Sequence, residues 1–390
     1  MSIPLSYTWR SLWTRRLTTA LTLIGIALVV FVFASILMLA TGIERTLVTS
    51  GDPQNVIILR RAANSELVSQ IGREEASILK TYPQVAIGAD GKPVASTETV
   101  VIINLAKIGS NDMGNILVRG VSPEAFALRP QVRLTQGRMF SFGSDEIIIG
   151  SNVSKRFQGT GIGSSIRIGE DQWTIVGVFE AGGTAFDSEV WGDVEVLMPS
   201  LGRQSVFSSI TMRLNSEGDF QAIKDAITAD PRTQSSDVKR EQQYYREQSE
   251  TMADFIRVLG LVVTIIFAFG AVIGAVITMY AAVANRTVEI GTMRALGFRR
   301  GSILNAFLIE SILLSLIGGI FGLLLASLTS FIQISTTNFG SFSELAFGFT
   351  LSPQVILSSL GFAVLMGIAG GFFPAVRAAR LSILNALRAS

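Results

Sequence analysis

Charge vanishes from four long stretches of this chain, 17–43, 258–285, 311–343 and 345–376. Each is longer than the roughly 20 residues, at about 1.5 Å rise per residue, that a helix needs to cross a hydrocarbon core. The pattern predicts four membrane-spanning helices, at about 19–41, 258–284, 303–332 and 354–375. The first apolar run far exceeds the roughly 7 to 15 residues of a signal-peptide core, so it is expected to stay as an anchor. One span is thereby separated from a cluster of three by residues 42–254, which have a different rhythm.

In that long interval, short β-branched runs bounded by Gly, Pro, Asn or Ser predict strands at 55–60, 99–107, 115–121, 145–150, 165–169, 172–179, 194–199 and 208–214. Helices are predicted at 73–82 and 219–229, each with an acid near its start. From Arg240 to Arg257 the chain is polar, lacks Gly and Pro, and continues into the second span. One long helix leaving the bilayer as a stalk is expected there. The fold class that follows is a membrane protein of four transmembrane α-helices, with a large α+β extracytoplasmic domain, divided into two subdomains, inserted between helices 1 and 2.

Charge beside the spans sets an orientation. Arg10, Arg15 and Arg16 precede the first span; Arg286, Arg294, Arg299 and Arg300 lie between the second and third; Arg377, Arg380 and Arg388 follow the fourth. These 10 basic residues face one acid, Glu289, while the connection between spans three and four carries only Glu344. The positive-inside rule then puts both termini in the cytoplasm and 42–254 outside, for a multi-pass protein of the inner (plasma) membrane. The outer stretch holds 21 basic and 27 acidic residues, a net charge of −6, which gives a nucleic-acid role no electrostatic footing.

The chain contains no Cys and no His. Disulfides, zinc sites of the usual Cys/His kind and His-based triads are excluded, and the outer domain must be held by an ordinary core. No phosphate-cradling G-x-x-x-x-G-K-[ST] occurs; GADGKP (88–93) lacks both the spacing and the following hydroxyl. GTGIG (159–163) precedes a strand instead of opening a helix and reads as turn glycine. The acid pairs Asp145/Glu146 and Glu170/Asp171 read as solvated turn residues, and adjacent Ser154 and Lys155 point apart. No catalytic, cofactor-binding or metal-binding residue is expected.

Within the spans, Glu310 is an acid on an apolar helix, either a polar lock to a neighbouring helix or a near-surface residue paired with Arg or water. Gly270 with Gly274, Gly318 and Gly319 with Gly322, and Gly367 with Gly370 and Gly371 are expected to form packing faces, because small residues at this spacing let helices approach closely. The connection NRTVEIGTMRALGFRRG (285–301) is the most unusual segment. At about 100° per residue, Val288, Gly291, Ala295 and Phe298 share one strip, and Arg286 and Glu289 are neighbours at i, i+3. The orientation rule explains the arginines. It leaves the strip unexplained, and the residues alone do not separate a docking surface from an ordinary basic loop.

Residues 285–326 resemble the shared block of the FtsX-like, MacB-type (type VII) ABC transporter permeases, the family of MacB and the lipoprotein-releasing LolC and LolE. The resemblance rests on Arg286, Glu289, Ile290 and Gly291; on Arg294, Ala295 and Gly297; on Glu310; and on Gly318, Gly319 and Gly322. PAVRAARLSILNALR (374–388), the entry WRSLWTRRLTTALTLIGIALVV (9–30), and LTQGRMF, DEIIIG and WTIVGVF in the outer domain are similar to the same family. The resemblance implies three parts: 1–41, an N-terminal interfacial helix and the first span; 42–254, a MacB-like core domain with its stalk helix; and 255–390, the remaining spans with a cytoplasmic coupling helix at 285–300. It further implies a non-catalytic permease in which Arg286, Val288, Glu289, Gly291, Arg294, Ala295, Gly297 and Phe298 dock on a separate ABC ATPase subunit. ATP and Mg would be bound on that subunit, with no cofactor on this chain. A second permease copy, a periplasmic adaptor, an outer-membrane channel and membrane lipid are the further partners implied, for mechanotransmission-driven efflux. An FtsX-like scaffold that activates an external hydrolase is the alternative.

Overall fold

The computed structural model describes residues 16–202, 205–338 and 340–382. The N-terminal interfacial segment and the end of the C-terminal motif, with Arg10, Arg15 and Arg388, lie outside the described residues. The helices are α1 (Arg16–Val48), α2 (Arg73–Leu79), α3 (Ala125–Leu128), α4 (Ser151–Arg156), α5 (Val194–Ser200), α6 (Phe220–Ala229), α7 (Glu241–Ala284), α8 (Thr287–Ala295), α9 (Arg300–Leu328) and α10 (Pro353–Arg380). Four of them, α1, α7, α9 and α10, are long and apolar enough to cross a membrane. Contacts divide the chain into two units, one of 42–253 with 333–348, the other of 254–332 and 349–390 with the chain up to Thr41.

In the membrane-type unit, glycines set the helix approaches. A Cβ on Gly322 would lie 2.5 Å from the Ala27 carbonyl oxygen of α1, one on Gly318 3.1 Å from Ile26, and one on Gly319 2.7 Å from Ala363 of α10. Gly367 and Gly371 of α10 face Ser315 and Ser311 of α9, and the Ser311 hydroxyl donates to the Gly367 carbonyl at 2.8 Å. Backbone contact this close favours van der Waals packing and polar bonds that lipid cannot replace. Gly270 and Gly274 depart from the expectation. Among the described residues no neighbouring atom lies within 4 Å of a Cβ placed on either, and they line an apolar groove between α1 and α7 with Leu21, Gly25 and Leu28.

The strand-rich unit is built on β1 (Asn55–Arg60), β2 (Ile71–Gly72), β3 (Ala95–Ala106), β4 (Met113–Val121), β5 (Arg133–Gly137), β6 (Glu146–Gly150), β7 (Ser165–Ile168), β8 (Asp171–Glu180), β9 (Glu189–Asp193), β10 (Val206–Phe207), β11 (Ser209–Arg213), β12 (Ser236–Arg240), β13 (Gln333–Thr337) and β14 (Glu344–Gly348). One sheet runs β12-β1-β11-β3-β4-β9-β6-β8-β5, with β7 paired to β8; β2 with β10, and β13 with β14, form separate ladders. Two apolar cores form on this sheet. Val56, Ile58, Ile210 and Met212 pack under α2 and α6, while Ile116, Val118, Ile147, Ile149, Trp173 and Ile175 form the second. The two expected subdomains therefore share a continuous sheet.

The structure corrects the reading of 194–199, which forms α5 instead of a strand. Its alternating Val-Glu-Val pattern mimics a half-buried strand, but the Asp193 carboxylate accepts the Glu195 N–H at 2.9 Å and caps a helix start, with Glu195 favourably placed in the first turn. The strand in this region is instead β9, buried along its length, parallel to β4 and antiparallel to β6. A second difference lies at 333–348. This segment, expected to go with the membrane helices, forms the β13–β14 hairpin and belongs to the strand-rich unit. The Lys107 ammonium meets the Glu344 carboxylate at 2.8 Å, Asn115 donates to the Phe342 carbonyl at 2.8 Å, and Leu345, Ala346 and Phe347 are buried. The expected stalk is part of α7, a single helix of 44 residues that passes through the division at 253/254 without a break.

Candidate functional site

The connection between α7 and α9 folds as α8, nine residues that end where Gly297 takes φ of +93°, a backbone state that suits glycine after a helix C-terminus. The helix has one inward and one outward face. Ile290 is fully buried among Met279, Val283, Ile303, Phe307, Ala375 and Ala378, and Gly291 is buried beside it. Val288 and Leu296 are 40% and 71% exposed, with Glu289, Thr292 and Ala295 also exposed.

The strip drawn from the sequence is therefore divided. Val288 and Ala295 face outward, Gly291 faces the helix cluster, and Phe298 lies beyond the end of α8, half-buried. Arg294 is half-buried, and its Nε hydrogen has no acceptor among the described residues. The surface available to a partner is Val288, Glu289, Thr292, Ala295 and Leu296. Leu296 was missed because at about 100° per residue it falls off the strip of small residues.

An ion pair holds α8 in place. Arg286, immediately before the helix, donates from Nη1 to the Glu310 carboxylate of α9 at 3.0 and 3.4 Å, and both residues are only 7% exposed. The guanidinium also stands 6.0 Å from the centre of the Phe307 ring and 4.0 Å from the Glu289 carboxylate. Both readings of Glu310 thus merge, since it is an interhelical lock whose partner is an arginine. A lone carboxylate is costly in an apolar helix bundle; this one is matched by a guanidinium on the adjoining connection, so the positions of α8 and α9 are linked.

The strand-rich unit contains a second polar assembly that the sequence did not reveal. Arg119 on β4 uses all five N–H groups: Nε and Nη2 donate to Glu189 at 2.9 and 3.0 Å, Nη1 and Nη2 to Glu66 at 2.7 and 3.1 Å, and Nη1 to Glu98 at 2.8 Å. Arg129 donates to both oxygens of Glu98, at 2.5 and 3.1 Å, and its guanidinium lies 4.9 Å from the Phe186 ring centre. Burial pushes the Glu98 carboxyl upward, but Arg129 and Arg119 outweigh it and hold it below the usual carboxylate range. The assembly ties β3, β4 and β9 to the loop carrying Glu66 and to the head of α7. Its members are scattered from 66 to 241 in a sequence where charge alternates freely, so spacing gave no sign of it.

Among the described residues no group of three or more Asp or Glu is arranged to hold a metal ion. A glycine-packed helix bundle, an ion-paired connecting helix with a mixed apolar and polar outer face, and a long helix that runs on into a strand-rich domain together define a helical membrane protein with a large strand-rich domain. Residues 19–230 match the family model of the MacB-like periplasmic core domain, and 261–383 that of the FtsX-like permease C-terminal region. The chain belongs to the MacB-type, FtsX-like permease family, and its strand-rich unit is the extracytoplasmic domain. It is 28% identical over 406 residues to the macrolide export ATP-binding/permease protein MacB of Shewanella oneidensis, covering 96% of this chain and 58% of the relative. The MacB of Escherichia coli is 27% identical over 407 residues, with 95% and 58% covered, and MacB 1 of Aeromonas hydrophila 30% identical over 289, with 69% and 43% covered. The chain thus spans about half the length of the relatives it matches.

Proposed function

We propose that this chain is the non-catalytic permease subunit of an ATP-driven export system of the inner membrane, with ATP and Mg bound outside these 390 residues on an ABC ATPase subunit. The observation that carries the reading is the outward face of α8, with Val288 and Leu296 exposed on a short helix held from behind by the Arg286–Glu310 pair. The relatives' names join ATP binding to permease, and these 390 residues contain no phosphate-cradling loop, so the proposed nucleotide site is placed outside them. Partner movement at α8 would pass to α9 through the ion pair and to the extracytoplasmic domain along α7. A second permease copy, an adaptor and an outer-membrane channel complete the proposed assembly, for efflux from the extracytoplasmic side.

Capture of the tagged chain from its native membrane is expected to retain an ATPase. Val288→Glu with Leu296→Glu should reduce that retention at least tenfold while leaving the permease folded, because two charges would have to be desolvated at the contact. Equal ATPase recovery with both substitutions would remove α8 as the docking site. Gly291→Trp is a poorer probe, since Gly291 is buried against the bundle.

Orientation has its own test. The chain has no native Cys, so Ser110→Cys and Asn285→Cys, both at exposed positions, can be labelled without background. An impermeant maleimide should react with the first in intact spheroplasts and with the second only after lysis. The reverse order would invert the proposed topology, in which both termini are cytoplasmic.

A further inference from the structure

The buried assembly at the head of α7 contains four carboxylates, Glu66, Glu98, Glu189 and Glu241, against two guanidiniums, Arg119 and Arg129. Donors are shared unequally. Glu66, Glu98 and Glu189 each receive guanidinium hydrogen bonds at both oxygens, with Ser209 adding to Glu66 and the Trp191 indole N–H to Glu189. Glu241 receives the Asp52 backbone N–H and the Asn55 side-chain amide, both at 3.0 Å and both on Oε2. Among the described residues its Oε1 has no donor, and it lies 3.6 Å from Arg129, beyond hydrogen-bonding distance.

Glu241 is therefore the carboxylate left over. It is fully buried, it lies 17 residues before the apolar stretch that begins at Val258, and it opens the helix that continues into the membrane. Gly51 packs so closely against this turn that a Cβ there would lie 2.7 Å from the Gln242 nitrogen, so the seat has no slack.

We propose that Glu241 carries a proton while the head of α7 is seated in the extracytoplasmic domain, and that loss of this proton loosens the seat. A buried negative charge without a matching cation is relieved by protonation more cheaply than by desolvating the ion. The groups facing Glu241 agree. Arg129 attracts its anion, but that cation is already shared with Glu98; Tyr245 is an uncharged neighbour on the same helix; Asp52 is engaged at 4.0 Å by Arg213, which also donates to Asn55. Burial pushes the Glu241 carboxyl above its ordinary range, and Arg129, the Asp52 N–H and Asn55 only partly offset this. A carboxyl raised in the folded state contributes stability that is present at low pH and is lost as pH rises through the folded-state value. A rise in pH outside the membrane would then weaken the attachment of α7.

The test uses the full chain in detergent micelles. Thermal midpoints of the wild type and Glu241→Gln, measured from pH 5 to pH 8, should diverge, the wild type falling relative to the variant as pH rises. Parallel profiles would overturn the proposal. Infrared spectra supply a readout that does not depend on the variant's folding: at pH 6 the wild type should show the C=O band of a protonated buried carboxyl that exchange into deuterium shifts. Absence of that band in the wild type, or its persistence in a folded Glu241→Gln protein, would equally overturn it.

Discussion

Arg119→Ala is expected to unfold the extracytoplasmic domain well below the wild-type temperature, since it removes the guanidinium that Glu66 and Glu189 share and one of the two on Glu98. Removing one partner of a buried ion pair costs about 3–5 kcal/mol, and this cation serves three carboxylates. Against a typical stability of roughly 5–15 kcal/mol, such a loss removes from about a fifth to all of it, which is read as a large fall in the unfolding midpoint. Arg119→Lys should not restore it, because an ammonium has three donors where five directed N–H groups are in use. The exposed Arg138–Glu146 pair is the internal control. Arg138→Ala should leave the unfolding midpoint nearly unchanged, because an exposed ion pair is screened by solvent and contributes little. Denaturant or thermal unfolding of the detergent-solubilised chain measures both; equal effects of Arg119→Ala and Arg138→Ala would show that the buried assembly is not what holds the domain.

The second large effect is expected at the connecting helix. Arg286→Ala takes the guanidinium away from Glu310 inside an apolar bundle and should cost about 3–5 kcal/mol, whereas adding Glu310→Gln should recover part of the loss, because the charge left behind is then gone. A double-mutant cycle isolates the pair from the other contacts of either residue. Expected in the cycle is a coupling of at least about 1 kcal/mol, within the range found for residues that touch. Additive effects would mean that α8 is held by its apolar inner face alone.

The two assemblies were unequally visible in the sequence. The long helices and most strands follow from runs of uncharged or β-branched residues, signals that depend only on neighbours along the chain. Glu310 and Arg286 were each conspicuous, one as an acid in an apolar run and the other as part of a basic connection, yet their pairing needed α8 to turn back against α9. Arg119, Arg129 and their glutamates were hidden, because the same residue types on strands, loops and helix starts of an outer domain are normally solvated. Burial of the sheet's polar centre is a property of the packed layers, which no local window contains. β9 was obscured by its acidic ends, Glu189 and Asp193, and the β13–β14 hairpin by its position between two spans, where a short loop is the simpler expectation.

That hairpin makes the extracytoplasmic domain discontinuous in the chain, and this has a consequence for how the protein is made. Residues 42–253 are synthesised long before 333–348, with most of α7, then α8 and α9, in between. Until the hairpin emerges, Lys107 lacks Glu344, Asn115 lacks the Phe342 carbonyl, and the surface that covers Leu345 and Phe347 stays open. Contacts of such long sequence separation form late. The domain's last piece therefore arrives only after three of the four long helices have been translated, and a nascent chain halted before residue 333 should display a sticky, protease-sensitive flank that the finished protein conceals.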